Sequence, residues 1–191
     1  MPLECAALSL ADLVAETLGT QTLLAAQKGL RLEGDVPATL PLVWADEGVV
    51  DRVLQNLIGN ACKFTPEGGL IRVTAEVAVD AEDGHDTPIS HVLLSVSDTG
   101  PGIPPELQDR LFQKFVTGGQ QGSGSGLGLA FCRLAVEAHN GRLWVESEPG
   151  HGTTFHLTLP VAGVDAQGDT TELQIDGLHM AAAHSTAEQP G

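Results

Sequence analysis

Two glycine-bearing segments constrain the fold of this chain more than any other feature: Ser97-Asp98-Thr99-Gly100-Pro101-Gly102 and Gly122-Ser123-Gly124-Ser125-Gly126-Leu127-Gly128-Leu129. The first closes an apolar strand pattern, His91-Val92-Leu93-Leu94-Ser95-Val96, with a carboxylate at Asp98 and then two bare positions at Gly100 and Gly102. A strand that ends in this way can seat a flat ring beside an acceptor. An adenine N6 amine donates to a carboxylate, whereas a guanine O6 meets it acceptor to acceptor, so Asp98 is placed to set base choice. The second segment concentrates glycine just ahead of a helical pattern. Bare backbone N–H groups at a helix N-terminus cradle phosphate. Together the two segments imply a site for ATP, with the base at one end and the phosphates at the other.

Composition narrows the class. At 191 residues the chain suits one domain with a substantial core and a tail. Its formal charge of −16 argues against nucleic acid or an anionic membrane as a direct partner, since both are polyanions. ATP must then be held by a few local cations and a metal. Cys5, Cys62 and Cys132 show no paired spacing, and two fall in helical patterns, which reads as a reducing cytoplasm without a disulfide framework or zinc site. The first 17 residues carry Glu4 and Asp12 but no basic region, unlike a signal peptide, and no apolar run approaches membrane-spanning length.

Strand and helix patterns alternate, predicting an α/β domain with helices covering a mixed sheet. Helices are expected over Ser9 to Lys28, from an Asp46 cap to about Phe64, over Pro104 to Phe115, and over Gly126 to Asn140. Strands are expected at Leu30 to Gly34, Leu42 to Ala45, Leu70 to Val79, His91 to Ser97, Arg142 to Ser147 and Thr153 to Leu159. The acidic stretch Asp80 to Pro88 reads as a hairpin loop. The domain is expected to occupy residues 1–162, followed by an acidic, mostly disordered tail over 163–191.

On the Asp46 helix, Asn56 and Asn60 stand four residues apart and Lys63 continues their stripe. Two amide oxygens and an ammonium on one face can share Mg²⁺ and a phosphate chain. The plainer alternative is a polar outer face, for which Asn is a poor choice because its helix propensity is roughly half a kcal/mol worse than that of Ala. The glycine loop has its own plain alternative, a flexible linker. It fits neither G-x-x-x-x-G-K-[S/T] nor G-x-G-x-x-G.

In order and spacing these segments resemble the sensor histidine kinases. Asn56 to Pro66 is similar to their N box, Asp98 to Gly102 to a first glycine box, and Leu111 to Phe115 to an F box. Gly124 to Leu129 is similar to a second glycine box, and Gly150 to Phe155 to the closing strand. The resemblance covers roughly Leu8 to Pro160. It implies a Bergerat-type fold, an α+β two-layer sandwich whose mostly antiparallel sheet carries about three helices on one face.

It further implies that Asp98 binds the adenine amine with support from Thr153, that Asn60 and Asn56 hold Mg²⁺, and that Lys63 touches phosphate. Gly100, Gly102 and Ile103 would line the base end. Gly124, Ser125, Gly126, Leu127, Gly128 and Leu129 would form the phosphate end. The segment Ile103 to Gly124 would be a mobile lid, from which Lys114 or Arg110 reaches the phosphates. Asn140 stands where many relatives have Gly, a departure expected to matter little.

The resemblance also bears on the reaction. Hydrolytic members of the superfamily place a Glu as general base where this chain has Asn56, and an amide cannot take a proton at neutral pH. Phosphoryl transfer to an external histidine is therefore expected over hydrolysis or serine phosphorylation, and the intact boxes speak against a relative that only senses nucleotide. None of the seven histidines stands in an H-E-x-x-x-P context. His85, followed by Asp86 and Pro88, lies in the acidic loop, and His139 and His156 suit packed positions. The acceptor is thus expected on a separate dimerisation and phosphoacceptor domain, with a response regulator further downstream.

Overall fold

The structure, a computed structural model, describes residues 2–79, 90–108, 110–112 and 127–163. The expectations for the Asp80 to Pro88 loop, for Lys114, Gly124, Ser125 and Gly126, for His85, and for the acidic tail lie outside these residues.

Eleven elements follow in order: β1 (Ala6–Leu8), α1 (Leu10–Gln27), β2 (Arg31–Asp35), β3 (Val43–Ala45), α2 (Glu47–Phe64), β4 (Leu70–Val79), β5 (Ser90–Asp98), α3 (Pro105–Gln108), α4 (Gly128–Ala138), β6 (Leu143–Glu148) and β7 (Gly152–Pro160). Five strands form one sheet in the order β2-β4-β5-β7-β6. Only β2 and β4 run parallel; the other three pairings are antiparallel. A small second sheet pairs β1 with β3.

The helices begin where the sequence supplies caps. Ser9 accepts from the Asp12 N–H at the start of α1, and Asp46 accepts from the Val49 N–H at the start of α2. Each such cap is worth about 1 kcal/mol. The helical spacing on α2 buries Val50, Val53, Leu54, Leu57, Ile58 and Ala61. They meet the inward rows of the sheet, Ile71 and Val73 on β4, Val92, Leu94 and Val96 on β5, and Phe155, Leu157 and Leu159 on β7. Leu54, Leu57 and Ile58 are fully enclosed, and burying each contributes about 1.5–3 kcal/mol.

The opposite face of the sheet is polar. Arg72 pairs with Glu33 at 3.1 Å, Ser97 with Thr154 at 3.0 Å, and Ser95 with His156 Nδ1 at 2.8 Å, while Trp144 stacks on the His156 ring. The architecture is therefore the two-layer sandwich expected. Among the described residues, no helix is long and apolar enough to cross a membrane.

Two expectations are corrected. Pro104 to Phe115 is not one helix: α3 ends at Gln108, and the chain tightens into turns closed by Arg110 N–H to Leu107 O and Leu111 N–H to Gln108 O. These three-residue closures replace the α-helical ladder, and residues 113–115 lie outside the described set. The second correction is β1, a strand the pattern did not predict, three residues long and without alternation.

Two features at the C-terminal end of α4 place it against α2. His139 is buried; its Nε2 accepts from the Asp46 N–H at 3.0 Å, and its Nδ1 faces the Ala135 carbonyl at 2.7 Å. A backbone N–H can only donate and a carbonyl only accept, so the proton of the neutral ring sits on Nδ1. Asn140 then turns the chain at φ 56°, a left-handed conformation that Asn tolerates better than most residues. Asparagine can therefore hold a turn that glycine would also take.

Candidate functional site

The residues expected at the base end share one rung of the sheet. Ile71 on β4, Asp98 on β5, Thr153 on β7 and Ser147 on β6 are successive register partners, so the last three project from the helix-covered face side by side. The Gly100 N–H donates to Asp98 Oδ1 at 2.8 Å, curling the strand end back on its own carboxylate. Gly102, at φ 72°, continues that turn into Ile103. Gly152 is required by close approach: at φ 91°, any Cβ there would strike the Asp98 carbonyl oxygen. Burial pushes the Asp98 carboxyl above its ordinary pKa, while the backbone N–H groups of Gly100 and Thr153 pull the other way.

The residue missed in the sequence is Ser147. Its hydroxyl contacts the Ile103 N–H at 2.8 Å, the Gly152 carbonyl at 2.8 Å and Thr153 Oγ1 at 3.0 Å. Gln108 adds a second tie, its amide nitrogen reaching both Ile103 O at 2.8 Å and Ser147 O at 2.9 Å. The only signal available beforehand was that Ser147 alternates with the outward Glu146 and Glu148. That places it inward, but its partners follow only from the register.

The other end lies where α2 meets α4. Asn56 Nδ2 donates to the Arg52 carbonyl at 2.8 Å. A carbonyl only accepts, so the amide nitrogen must face it and the oxygen Oδ1 is turned outward. Oδ1 lies 2.9 Å from where a Cβ on Gly128 would stand, so glycine opens this approach. Helix α4 starts at Gly128 with Leu127 before it and no side-chain cap among the described residues; the Phe131 N–H to Leu127 O bond, 2.9 Å, closes its first turn. The N–H groups of Gly128, Leu129 and Ala130 therefore precede the helical ladder and remain suited to an anion. Arg52 lies over the Phe131 ring at 4.6 Å and braces the same junction.

Asn60 lies one turn beyond Asn56 and is half-buried. Lys63 is exposed, with its ammonium 5.2 Å from the Phe64 ring centre. The structure thus brings Asn56 to Gly128, and Asp98 to Thr153. Arg110 is exposed at the edge of the described segment.

Residues 45–163 match the family described as histidine kinase-, DNA gyrase B- and HSP90-like ATPases, and the chain belongs to that family. More narrowly, its fold matches that of histidine kinase catalytic domains. The solved catalytic domain of histidine kinase ThkA superposes with a TM-score of 0.69 at 29% identity, over 83% of this chain and 97% of that one. Full-length ShkA in complex with AMPPNP gives a TM-score of 0.71 at 34% identity, over 84% of this chain and 32% of that one. Among curated relatives, the adaptive-response sensory kinase SasA of Thermosynechococcus vestitus is 41% identical over 156 residues, 81% of this chain and 39% of the relative. SasA of Crocosphaera subtropica is 46% identical over 140 residues, 72% and 34% respectively. The chain therefore spans little more than a third of the length of these relatives.

Proposed function

We propose that this chain is the ATP-binding catalytic domain of a sensor histidine kinase that passes the γ-phosphoryl group to a histidine on a separate dimerisation and phosphoacceptor domain. The observation that carries the reading is the approach of Asn56 Oδ1 to Gly128, which joins the N-box helix to the start of the glycine-loop helix.

In this reading Asp98 and Thr153 accept the adenine N6 amine, with Gly100, Gly102 and Ile103 shaping the wall around the base. The N–H groups of Gly128 and Leu129 receive phosphate oxygens, and Gly124, Ser125, Gly126 and Leu127 complete the cradle. Lys63 and Lys114 neutralise phosphate charge. Asn56 and Asn60 would hold Mg²⁺; the outward amide oxygen of Asn56 is the hard donor such an ion takes. When bound, Mg²⁺ neutralises charge building on the phosphates.

The acceptor histidine nitrogen attacks the γ-phosphorus, the bond from γ-phosphorus to its bridging oxygen breaks, and ADP leaves with those electrons. Asn56 has no site to receive a proton, which supports transfer over hydrolysis. Residues 1–162 would form this unit and 163–191 an appended acidic segment. A response regulator would take the phosphoryl group from the acceptor domain, and a cytoplasmic location supplies the ATP.

The test is calorimetry with ATP and GTP, with and without Mg²⁺, with released phosphate assayed in the same samples. ATP-selective, Mg²⁺-strengthened binding with negligible turnover is expected. Adding a phosphoacceptor domain should then produce acid-labile phosphohistidine. Steady hydrolysis by the isolated chain would overturn the transfer reading.

A further inference from the structure

The hydrogen-bond inventory around Ser147 has a single self-consistent solution. A serine hydroxyl carries one proton and two lone pairs. The Ile103 N–H can only donate, so it occupies one lone pair of Ser147 Oγ at 2.8 Å. The Gly152 carbonyl can only accept, so it takes the serine proton at 2.8 Å. Thr153 Oγ1, 3.0 Å away, must then donate its proton to the remaining lone pair. That leaves the Thr153 hydroxyl with acceptor capacity alone for any other group.

Thr153 is the register partner of Asp98, whose carboxyl is an acceptor too and already takes the Gly100 N–H. The rung beside the strand end is therefore acceptor next to acceptor, and Ser147 makes it so. We infer that Ser147 is a further determinant of purine choice beside Asp98, by fixing the Thr153 hydroxyl as an acceptor that welcomes a 6-amino purine and rejects a 6-oxo purine. Ser147 acts through Thr153 and is a positioning residue, held in turn by the Gln108 amide on its backbone carbonyl. Without the serine oxygen, the threonine rotor is free to swing its proton toward a 6-oxo group. The inference rests on the adenine placement at Asp98.

The probe pair is ATP and inosine triphosphate, which carries oxygen in place of the 6-amine. Binding of each is measured by calorimetry to the full chain, with melting temperature recorded in parallel. In Ser147→Ala the ratio of ATP to inosine triphosphate affinity should fall about tenfold, the size of one hydrogen-bond preference, and Ser147→Thr should restore it. Thr153→Val, which keeps the Ile103 and Gly152 partners of Ser147, should lower the same ratio and serves if Ser147→Ala does not fold. Equal loss of both affinities with an unchanged ratio, in either variant, would mean a purely structural serine and overturn the inference. Asp98→Asn separates the two levels: if it binds ATP like the unaltered chain, the adenine placement itself is wrong. If it loses ATP while Ser147→Ala keeps full discrimination, only the role of Ser147 falls.

Discussion

The two ends of the site are built in opposite ways. At the base end, Asp98, Gly100, Ile103, Gln108, Ser147, Gly152 and Thr153 are tied by hydrogen bonds of 2.8–3.0 Å, with glycine wherever two backbones close up. At the phosphate end, Asn56 makes one bond to its own helix, Lys63 is exposed, and α4 begins without a side-chain cap among the described residues. One end is ordered before anything binds; the other presents donors and oxygens that an incoming ligand must complete. In the proposed reading, shape and polarity are set where the base would be chosen, and charge is left open where the chemistry would occur.

The contrast breaks first at Gly152. Gly152→Ala drives a Cβ into the Asp98 carbonyl from a left-handed φ, so it should cost about 3 kcal/mol and abolish ATP binding, read by melting and calorimetry together. A variant that keeps its melting temperature would show the base end to be looser than described.

Asp98→Asn should lower ATP affinity about ten- to a hundredfold, because it replaces a charged acceptor. Its stability should move the other way at neutral pH. The native state raises the Asp98 pKa, so the stability linked to it is fully present below the ordinary value of 3.8 and is lost as pH rises through the raised native value. The asparagine variant should therefore melt no lower than the unaltered chain at pH 7, and lose that standing below pH 3.8. ATP affinity of the unaltered chain should weaken as pH falls through the raised value, since the protonated carboxyl is a poorer acceptor. A pH-independent affinity would contradict this.

At the phosphate end the pattern should invert. Gly128→Ala removes a poor helix former yet crowds Asn56 Oδ1 at 2.9 Å. Melting should hold or rise by less than about 1 kcal/mol, while the Mg²⁺-dependent part of ATP affinity falls and the Mg²⁺-independent part stays. Loss of both parts equally would place the disturbance in phosphate contacts instead. The smallest effect belongs to Asn140→Ala, remote from both ends: left-handed strain of about 1 kcal/mol with unchanged nucleotide binding.

The sequence disclosed the elements whose ends carry chemical punctuation. Asp46 and Thr65-Pro66 bracket α2, and Leu70 to Val79 alternates as β4 requires. Asp98 was legible because a carboxylate closing an apolar strand ahead of glycines is unusual. Ser147, Gln108 and His139 were not, because their partners lie across the sheet or on another helix. A serine in a strand reads as an ordinary polar residue until the register sets it against Thr153. Gln108, the last residue of α3, turns its side chain to Ile103 and Ser147, contacts with no local propensity behind them.

The bond from Asp46 to His139 gives α4 the mechanics of a pointer hinged at its rear. Its base is pinned to the start of α2, and its tip, Gly128, stands opposite Asn56. Eleven residues make an arm about 16 Å long, so a tilt of roughly 5° at the pivot would sweep the tip by roughly 1.4 Å. The setting of the gap between Gly128 and Asn56 therefore leans on an imidazole at the far end of the helix.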